Sequence, residues 1–235
     1  MSSTWDSVDR PGEYLDWARS VSALSMLVNP VDVLEWNLDK VHQRELGAAG
    51  IPVIPTTWVA PGDAFNPPEH SEFVVKPSVS AGGRNTARYA AGDEAAVEHV
   101  RRLQASGQIV MVQDYLPAID TDGETDLVFL AGEFSHAVLK KPTLRPGEGV
   151  IDRPWERMAW SGLTIPSAEQ SERATLTMGV VSRRLGVQPV YARVDLINGI
   201  AGEPLLLEVE LIDPYLSLDM KPAAAARLAD ALLRS

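Results

Sequence analysis

The stretch from Tyr191 to Ile212 constrains this chain more than any other. Two runs of β-favouring residues, Tyr191 to Ile197 and Pro204 to Ile212, flank the turn-forming segment Asn198-Gly199-Ile200-Ala201-Gly202-Glu203. Side chains alternate faces along a strand, so Arg193 and Asp195 share one face and Glu208 and Glu210 share another. Folding the two runs back through the turn is expected to set Asp195 opposite Glu208 and Arg193 opposite Glu210. Like charges facing each other across strands destabilise a sheet, so something must offset them. A pair of Mg²⁺ ions would do so, because Mg²⁺ takes carboxylate oxygens together with substrate phosphates. A solvated sheet face neutralised by Arg193 alone is the competing reading, and spacing leaves both open. The run Leu205-Leu206-Leu207 argues for a strand inside a core.

The remaining pattern predicts an α+β protein with two facing sheets. Helices are expected over residues 8–20, from Val31 to Ala49 with Gly50 as stop, from Gly92 to Gly107, from Ser167 to Gly186, and from Pro222 onward. Ser167 and Gln170 have capping-box spacing. Strands are expected over Phe73 to Pro77, Ile109 to Val112, Asp126 to Ala131 and Phe134 to Leu139, with Ala131-Gly132 as a hairpin turn. The stretch from Leu144 to Leu163, with Pro146, Gly147, Gly149 and Pro154, reads as a long surface loop.

Lys76 ends the strand Phe73-Val74-Val75 at the mouth of Ser78-Val79-Ser80-Ala81-Gly82-Gly83, a loop whose amides and hydroxyls suit phosphate. It has neither P-loop nor dinucleotide-fingerprint spacing, and taken alone it reads better as a hairpin loop beside a snorkelling lysine. Lys40, alone, reads as a helix-surface lysine. His42, His70, His99 and His136 lack metal-ligand spacing. His42 and His99 are expected on helix surfaces, and His136 on a strand facing either core or cleft. No G-x-S-x-G or H-E-x-x-H motif is present.

A chain of 235 residues accommodates one large domain or two modest ones around a cleft. It contains no cysteine, which excludes disulfides, thiolate ligands and a Cys nucleophile. The net charge of −11 argues against a nucleic-acid interface, while leaving room for a nucleotide held by a few local cations. No apolar run is long enough to span a bilayer, and the polar start lacks a signal-peptide core. A cytoplasmic protein is expected, without membrane or nucleic-acid partners.

Taken in order, the pieces from Trp36 to Leu218 resemble the ATP-grasp family, whose familiar members are glutathione synthetase and D-alanine–D-alanine ligase. Trp36-Asn37-Leu38-Asp39-Lys40 is similar to the family's first ATP lysine, and Val74-Val75-Lys76-Pro77 with Ser80-Ala81-Gly82-Gly83 to its second lysine and lid. Val112-Gln113-Asp114-Tyr115-Leu116 resembles the strand whose backbone holds adenine, and Glu124 the residue that binds ribose or lid. Arg193-x-Asp195 and Glu208-x-Glu210 resemble the Arg-x-Asp and Glu-x-Asn pairs that hold two Mg²⁺ and steady the phosphoryl group; Glu210 departs from the usual Asn.

The resemblance implies catalytic roles for Arg193 and Lys76, ATP contacts from Lys40, Lys76, Ser80, Gly82, Gly83, Gln113, Asp114, Tyr115, Leu116 and Glu124, and metal ligation by Asp195, Glu208 and Glu210. It implies two subdomains sandwiching ATP, over residues 36–115 and 116–235, with residues 1–35 as the remnant of a linker to a further N-terminal domain. The motifs Ser3-Thr4-Trp5-Asp6, Ser78 to Arg84 and Phe134 to Val138 bring it nearest to small ATP-grasp ligases such as the O-ureidoserine cyclo-ligase of cycloserine biosynthesis. The implied activity is ADP-forming ligation of a small-molecule carboxylate to an amine through an acyl phosphate. The alternatives are a non-catalytic ATP-binding relic, a subunit that needs a partner chain or a second copy, and a plain structural α+β domain.

Overall fold

Period-two alternation and helix caps account for most of the elements in the computed structural model, which describes residues 7–151 and 159–234. The segment Ser3 to Asp6 and residues 152–158 of the long loop lie outside the described residues. In chain order the elements are α1 (Pro11–Ser22), α2 (Val31–Leu38), α3 (His42–Ala48), β1 (Thr56–Val59), β2 (Phe73–Pro77), β3 (Ala87–Tyr89), α4 (Ala95–Ala105), β4 (Val110–Asp114), α5 (Ala118–Asp122), β5 (Glu124–Leu130), β6 (Glu133–Lys140), β7 (Trp160–Thr164), α6 (Ala168–Leu185), β8 (Tyr191–Asn198), β9 (Pro204–Glu210) and α7 (Pro222–Arg234).

The strands form two antiparallel sheets. One has the order β1-β4-β2-β3, the other β7-β6-β5-β8-β9. In the smaller sheet, Phe73, Val75, Ala87, Tyr89, Val110 and Val112 pack with Ala96, Val100 and Leu103 of α4. Alternation therefore turns Val74, Lys76 and Gln113 to the opposite face. In the larger sheet, Leu127, Phe129, Val194, Leu196 and Val209 pack on Ala174, Met178 and Val181 of α6. The reverse face carries Glu124, Asp126, Arg193, Asp195 and Glu210 near its centre and is closed at one end by α7 through Val128, Leu130 and Ala224.

Helix α6 begins with the expected capping box, in which Ser167 and Gln170 exchange side-chain and backbone bonds, and ends on left-handed Gly186. The β5–β6 hairpin turns through Ala131 and Gly132, both at positive φ, as the Ala-Gly pair suggests. Gly123 has no alternative: its φ is +76°, and a Cβ there would meet the Lys140 carbonyl at 2.7 Å.

Three expectations are corrected. The helix expected from Val31 to Ala49 is two helices, because Asp39 is extended (φ −103°, ψ 119°) and its Oδ1 accepts the Val41 N–H at 3.0 Å. This local Asp turn competes with helix continuation. The loop expected to run to Leu163 stops earlier, since Trp160 already pairs with Lys140 in β7. His42 and His99 are buried, not on helix surfaces.

Strand β9 lies at a sheet edge, so its outward N–H and C=O groups need partners. The segment 29–54 supplies them. Asn37 donates to the Val209 carbonyl and accepts from the Leu211 N–H at 2.8 and 2.7 Å. Gln43 donates to the Leu207 carbonyl at 2.9 Å, Leu206 N–H donates to Pro52, and Ile54 N–H donates back to Leu206. Asn29 adds bonds to the Tyr191 and Leu211 carbonyls. Val33, Leu46 and Ile51 enter the same core as α6, so α2 and α3 pack with the larger sheet.

Asn37→Ala leaves a buried carbonyl and a buried N–H unpaired. The expected loss of stability is roughly 2–4 kcal/mol, read by urea unfolding. A loss under about 0.5 kcal/mol, the size of an ordinary surface substitution, would mean that the edge is held by other means.

Candidate active site

The floor of the site is the hairpin β8–β9. Its register pairs Arg193 with Glu210 and Asp195 with Glu208, as expected, but it reaches that pairing through a register shift and not by a symmetric fold-back. An irregularity between Asp195 and Leu196 lets Leu206 enter the core while both glutamates stay on the other face. Arg193 lies among these acids, with only 5% of its surface exposed. Its Nε and Nη2 donate to the two Asp195 oxygens at 2.7 Å, and Nη2 reaches Glu210 Oε1 at 2.9 Å.

The roof is the smaller sheet with the loop from Ser78 to Thr86. Lys76 is buried at the end of β2. Gly82, Gly83 and Asn85 all hold positive φ, which small residues and asparagine tolerate best. The loop is anchored at both ends. Ser78 N–H donates to Ile109 O, and the Ser78 carbonyl accepts the Lys40 N–H. His99, packed beneath, bonds through Nε2 to the Asn85 carbonyl and through Nδ1 to the Tyr89 hydroxyl. Thr86 pairs with Ile151, tying this loop to the segment between β6 and β7.

Lys40 joins roof to floor. Its Nζ donates to the Ser80 carbonyl and pairs with Glu208 Oε1 at 3.0 Å. The break at Asp39 makes this possible, because it directs Lys40 into the cleft instead of along a helix. His42 secures the break. Its Nδ1 donates to the Asp39 carbonyl at 2.8 Å, and its ring lies 4.5 Å from that of Trp36.

Burial and neighbouring charge set the ionisation of these groups. Burial pushes Glu210 up to about 7, against the pull of Arg193. Burial acts in the same sense on Glu208, but Lys40 and Lys76 outweigh it and hold Glu208 below its ordinary value. Burial brings Lys76 down to about 8, with Glu208 opposing.

Lys40, Lys76, Ser80, Gly82, Gly83, Gln113, Asp114, Tyr115, Leu116, Glu124, Arg193, Glu208 and Glu210 all border one cleft of about 1330 Å³. Asp195 sits just beneath it, 1% exposed. Along the linker, Gln113 donates to Thr56 Oγ1, Asp114 accepts from Ser71, and Tyr115 donates its hydroxyl to Asp120. The Arg88 guanidinium stacks on the Tyr115 ring at 3.4 Å. Leu116 packs with Ile54, Ile197 and Leu205, an apolar bed on the cleft side. Glu124 pairs with Lys140 at 2.8 Å.

Lys140, Asp126 and Trp160 are absent from the sequence-derived set. Glu124 and Asp126 have the same strand parity, and Lys140 ends the strand opposite, so alternation in the β5–β6 hairpin was the available signal. Trp160 Nε1 reaches Asp126 Oδ2 at 3.3 Å, and its ring lies 4.6 Å from Tyr215 at the cleft mouth. His136 bonds to the Leu216 carbonyl and is buried, so it serves structure at the cleft's edge.

Oxygens of Asp195, Glu208 and Glu210 come within 4.8 Å of one another. A set of hard carboxylate oxygens without sulfur or imidazole suits Mg²⁺. Asp126 Oδ1 is buried and without a partner, a further sign of excess negative potential here. Together with Lys40, Lys76, Lys140 and Arg193, the floor can grip a polyphosphate from several sides.

No family model matches the sequence. The chain is 37% identical over 240 residues, covering 98% of its own length and 80% of the other's, to the cycloserine biosynthesis protein DcsG of Streptomyces lavendulae. The crystal structure of D-cycloserine synthetase DcsG superposes with a TM-score of 0.88 at 35% identity, over 98% of this chain and 80% of that one. The D-alanine–D-alanine ligase of Bacillus anthracis, solved with ATP, has the same fold: TM-score 0.63 and 17% identity, over 88% of this chain and 68% of that one. The chain belongs to the ATP-grasp family. It is an ATP-dependent ligase that forms carbon–nitrogen bonds with release of ADP.

His42 supplies a pH test of the Lys40 turn. Burial, assisted by Lys40, lowers His42 to about 4, below its ordinary 6.5. The folded state therefore holds it neutral while the unfolded chain takes up a proton below 6.5. Stability from this residue is complete above pH 6.5 and is lost as pH falls toward 4, by up to roughly 3 kcal/mol. His42→Asn, which keeps a donor near Asp39 but cannot titrate, should show a flatter acid limb in urea unfolding across this range. Parallel curves for variant and wild type would contradict the assignment.

Proposed function

We propose that this ligase activates a small-molecule carboxylate as an acyl phosphate and couples it to an amine of the same or a second molecule, in natural-product biosynthesis. The observation that carries the reading is the acid trio Asp195, Glu208 and Glu210, with oxygens within 4.8 Å, facing the cations of both sheets. The relative's name places that protein in cycloserine biosynthesis, which favours an amino-acid-derived substrate here.

In this reading adenine lies against the backbone of Gln113 to Leu116 and on the apolar bed around Leu116. Glu124 contacts ribose, which requires it to share or release Lys140. Lys40 and Lys76 neutralise the phosphates, and Ser80, Gly82 and Gly83 close over them. Asp195, Glu208 and Glu210 hold Mg²⁺, two ions by the number of carboxylates, with Lys40 and Arg193 yielding their present ion pairs in part. An Mg²⁺ held by these carboxylates would supply positive charge against that of the phosphates.

A substrate carboxylate oxygen attacks the γ-phosphorus, the bond to the β-phosphate oxygen breaks, and ADP leaves. Arg193 steadies the moving phosphoryl group by charge and hydrogen bonding, in a site built for positioning and not for covalent catalysis. The amine then attacks the acyl carbon, inorganic phosphate departs, and the amine loses a proton. Closure of the loop from Ser80 to Arg84 keeps water from the acyl phosphate.

Hydroxylamine traps acyl phosphates as hydroxamates, so a panel of D- and L-amino-acid derivatives with ATP, Mg²⁺ and hydroxylamine tests the reading without the native amine. Wild type should yield ATP-dependent hydroxamate and ADP from at least one acid. Glu208→Gln should yield neither while keeping its circular dichroism. Unchanged turnover in that variant would remove Glu208 from the metal set. Absence of product across the panel, together with retained ATP binding, would favour the non-catalytic reading.

A further inference from the structure

Arg193 is surrounded by three carboxylates: Asp195 at 2.7 Å, Glu210 at 2.9 Å and Asp126 at 3.8 Å. Two of these belong to the proposed metal trio. Asp126 is the remaining one. It faces Asp195 directly across β5 and β8, is 1% exposed, and keeps one oxygen, Oδ1, without any hydrogen-bond partner. Its other oxygen accepts from the Trp160 indole at 3.3 Å. A buried carboxylate placed beside another, half satisfied and at a distance from the nearest cation, is costly to keep as an anion unless a proton or a closer cation offsets it.

Loading the metal site frees such a cation. A cation on Asp195 and Glu210 draws on the two carboxylates that now hold Arg193 and adds positive charge beside the guanidinium. Within the dry floor, Arg193 then needs another counter-charge. Lys140, the other nearby cation, is paired with Glu124 at 2.8 Å in the ligand-free site. We infer that Asp126 is a positioning residue for phosphoryl transfer: it takes over Arg193 when Mg²⁺ engages Asp195 and Glu210, and holds the guanidinium toward the γ-phosphate.

Asp126 acts through Arg193 and touches neither nucleotide nor substrate. A small shift of Arg193 is enough, since Nε already lies 3.8 Å from Asp126 Oδ2. Trp160 fixes the carboxylate from β7. A direct metal-ligand role for Asp126 is disfavoured, although Glu124, Asp126 and Asp195 also bring oxygens within 4.8 Å. A dication there would sit between the paired side chains Lys140 and Arg193.

The inference rests on the metal assignment of the proposed function, and the experiment separates the two. Wild type, Asp126→Asn and Trp160→Phe are compared in thermal-shift titrations with Mn²⁺ or Mg²⁺ at fixed non-hydrolysable ATP analogue, alongside Mn²⁺ stoichiometry by electron paramagnetic resonance. In metal-free protein Arg193 retains Asp195 and Glu210, so Asp126→Asn should melt at or above wild type. Its apparent metal affinity should fall roughly 10–100-fold with unchanged stoichiometry, the scale of losing a residue that orients a ligand's partner. Trp160→Phe keeps the charge and should shift the titration less, in the same direction; it carries the test if Asp126→Asn does not fold. In turnover, kcat should fall while the KM for ATP stays near wild type.

Wild-type metal affinity in both variants overturns the inference alone. So does the loss of one bound ion in Asp126→Asn, which would make Asp126 a ligand. A wild-type protein showing no metal-dependent shift overturns the metal assignment and the inference together.

Discussion

The pairing of β8 with β9 is the constraint on which the rest of the structure depends. It sets Asp195 against Glu208 and Arg193 against Glu210 on one face, while Val194 and Val209 turn into the core behind. A slip of one residue would send the acids into that core and the valines into the cleft. Because β9 is an edge strand, its backbone would otherwise be free to fray or pair elsewhere. Asn37, Gln43 and the backbone of Pro52 and Ile54 occupy that edge instead. The same segment presents Lys40 to Glu208, so the residues that seal the edge also deliver the first cation to the floor.

The charges that meet in the cleft come from distant parts of the chain: Lys40 after α2, Lys76 on β2, Lys140 on β6 and the acids and Arg193 on β8 and β9. Each is buried or nearly so, and each is expensive to bury alone. Mutual pairing offsets part of this cost, and the directions of the pKa shifts show how incompletely. Glu208, beside two lysines, is held below its ordinary value, while Glu210 is pushed up to about 7 despite Arg193. A floor with surplus acid and a roof with a lowered lysine are both set up for a ligand that carries phosphate and divalent cation together. The glycine-containing loop between them, pinned at Ser78 and Asn85 but with successive positive-φ residues, is the segment best suited to move.

Much of this was legible in the sequence because it depends on local rules. Which charges of β8 and β9 share a face follows from period-two alternation, although their register also needs the shift between Asp195 and Leu196, and the start and stop of α6 follow from Ser167, Gln170 and Gly186. Part of what escaped depends on partners farther along the chain. His99 reads as a surface residue only by its polarity, since its spacing from Ala96 and Leu103 puts it on the buried face of α4, where Asn85 and Tyr89 close over it. The break at Asp39 is a single side-chain bond to Val41, which a hydrophobic pattern does not register. Asp126 and Lys140 read as ordinary polar residues of a hairpin until β8 is placed beside β5.

The central claim is that the acids and lysines form one nucleotide–metal site. Its most direct test is the melting temperature of the wild-type protein titrated with a non-hydrolysable ATP analogue, with and without Mg²⁺. Analogue at about a hundred times its dissociation constant should add roughly 2.7 kcal/mol of stability, and the gain should depend on Mg²⁺. No rise at millimolar analogue, or a rise indifferent to Mg²⁺, would contradict the claim and return the acidic hairpin to a structural role.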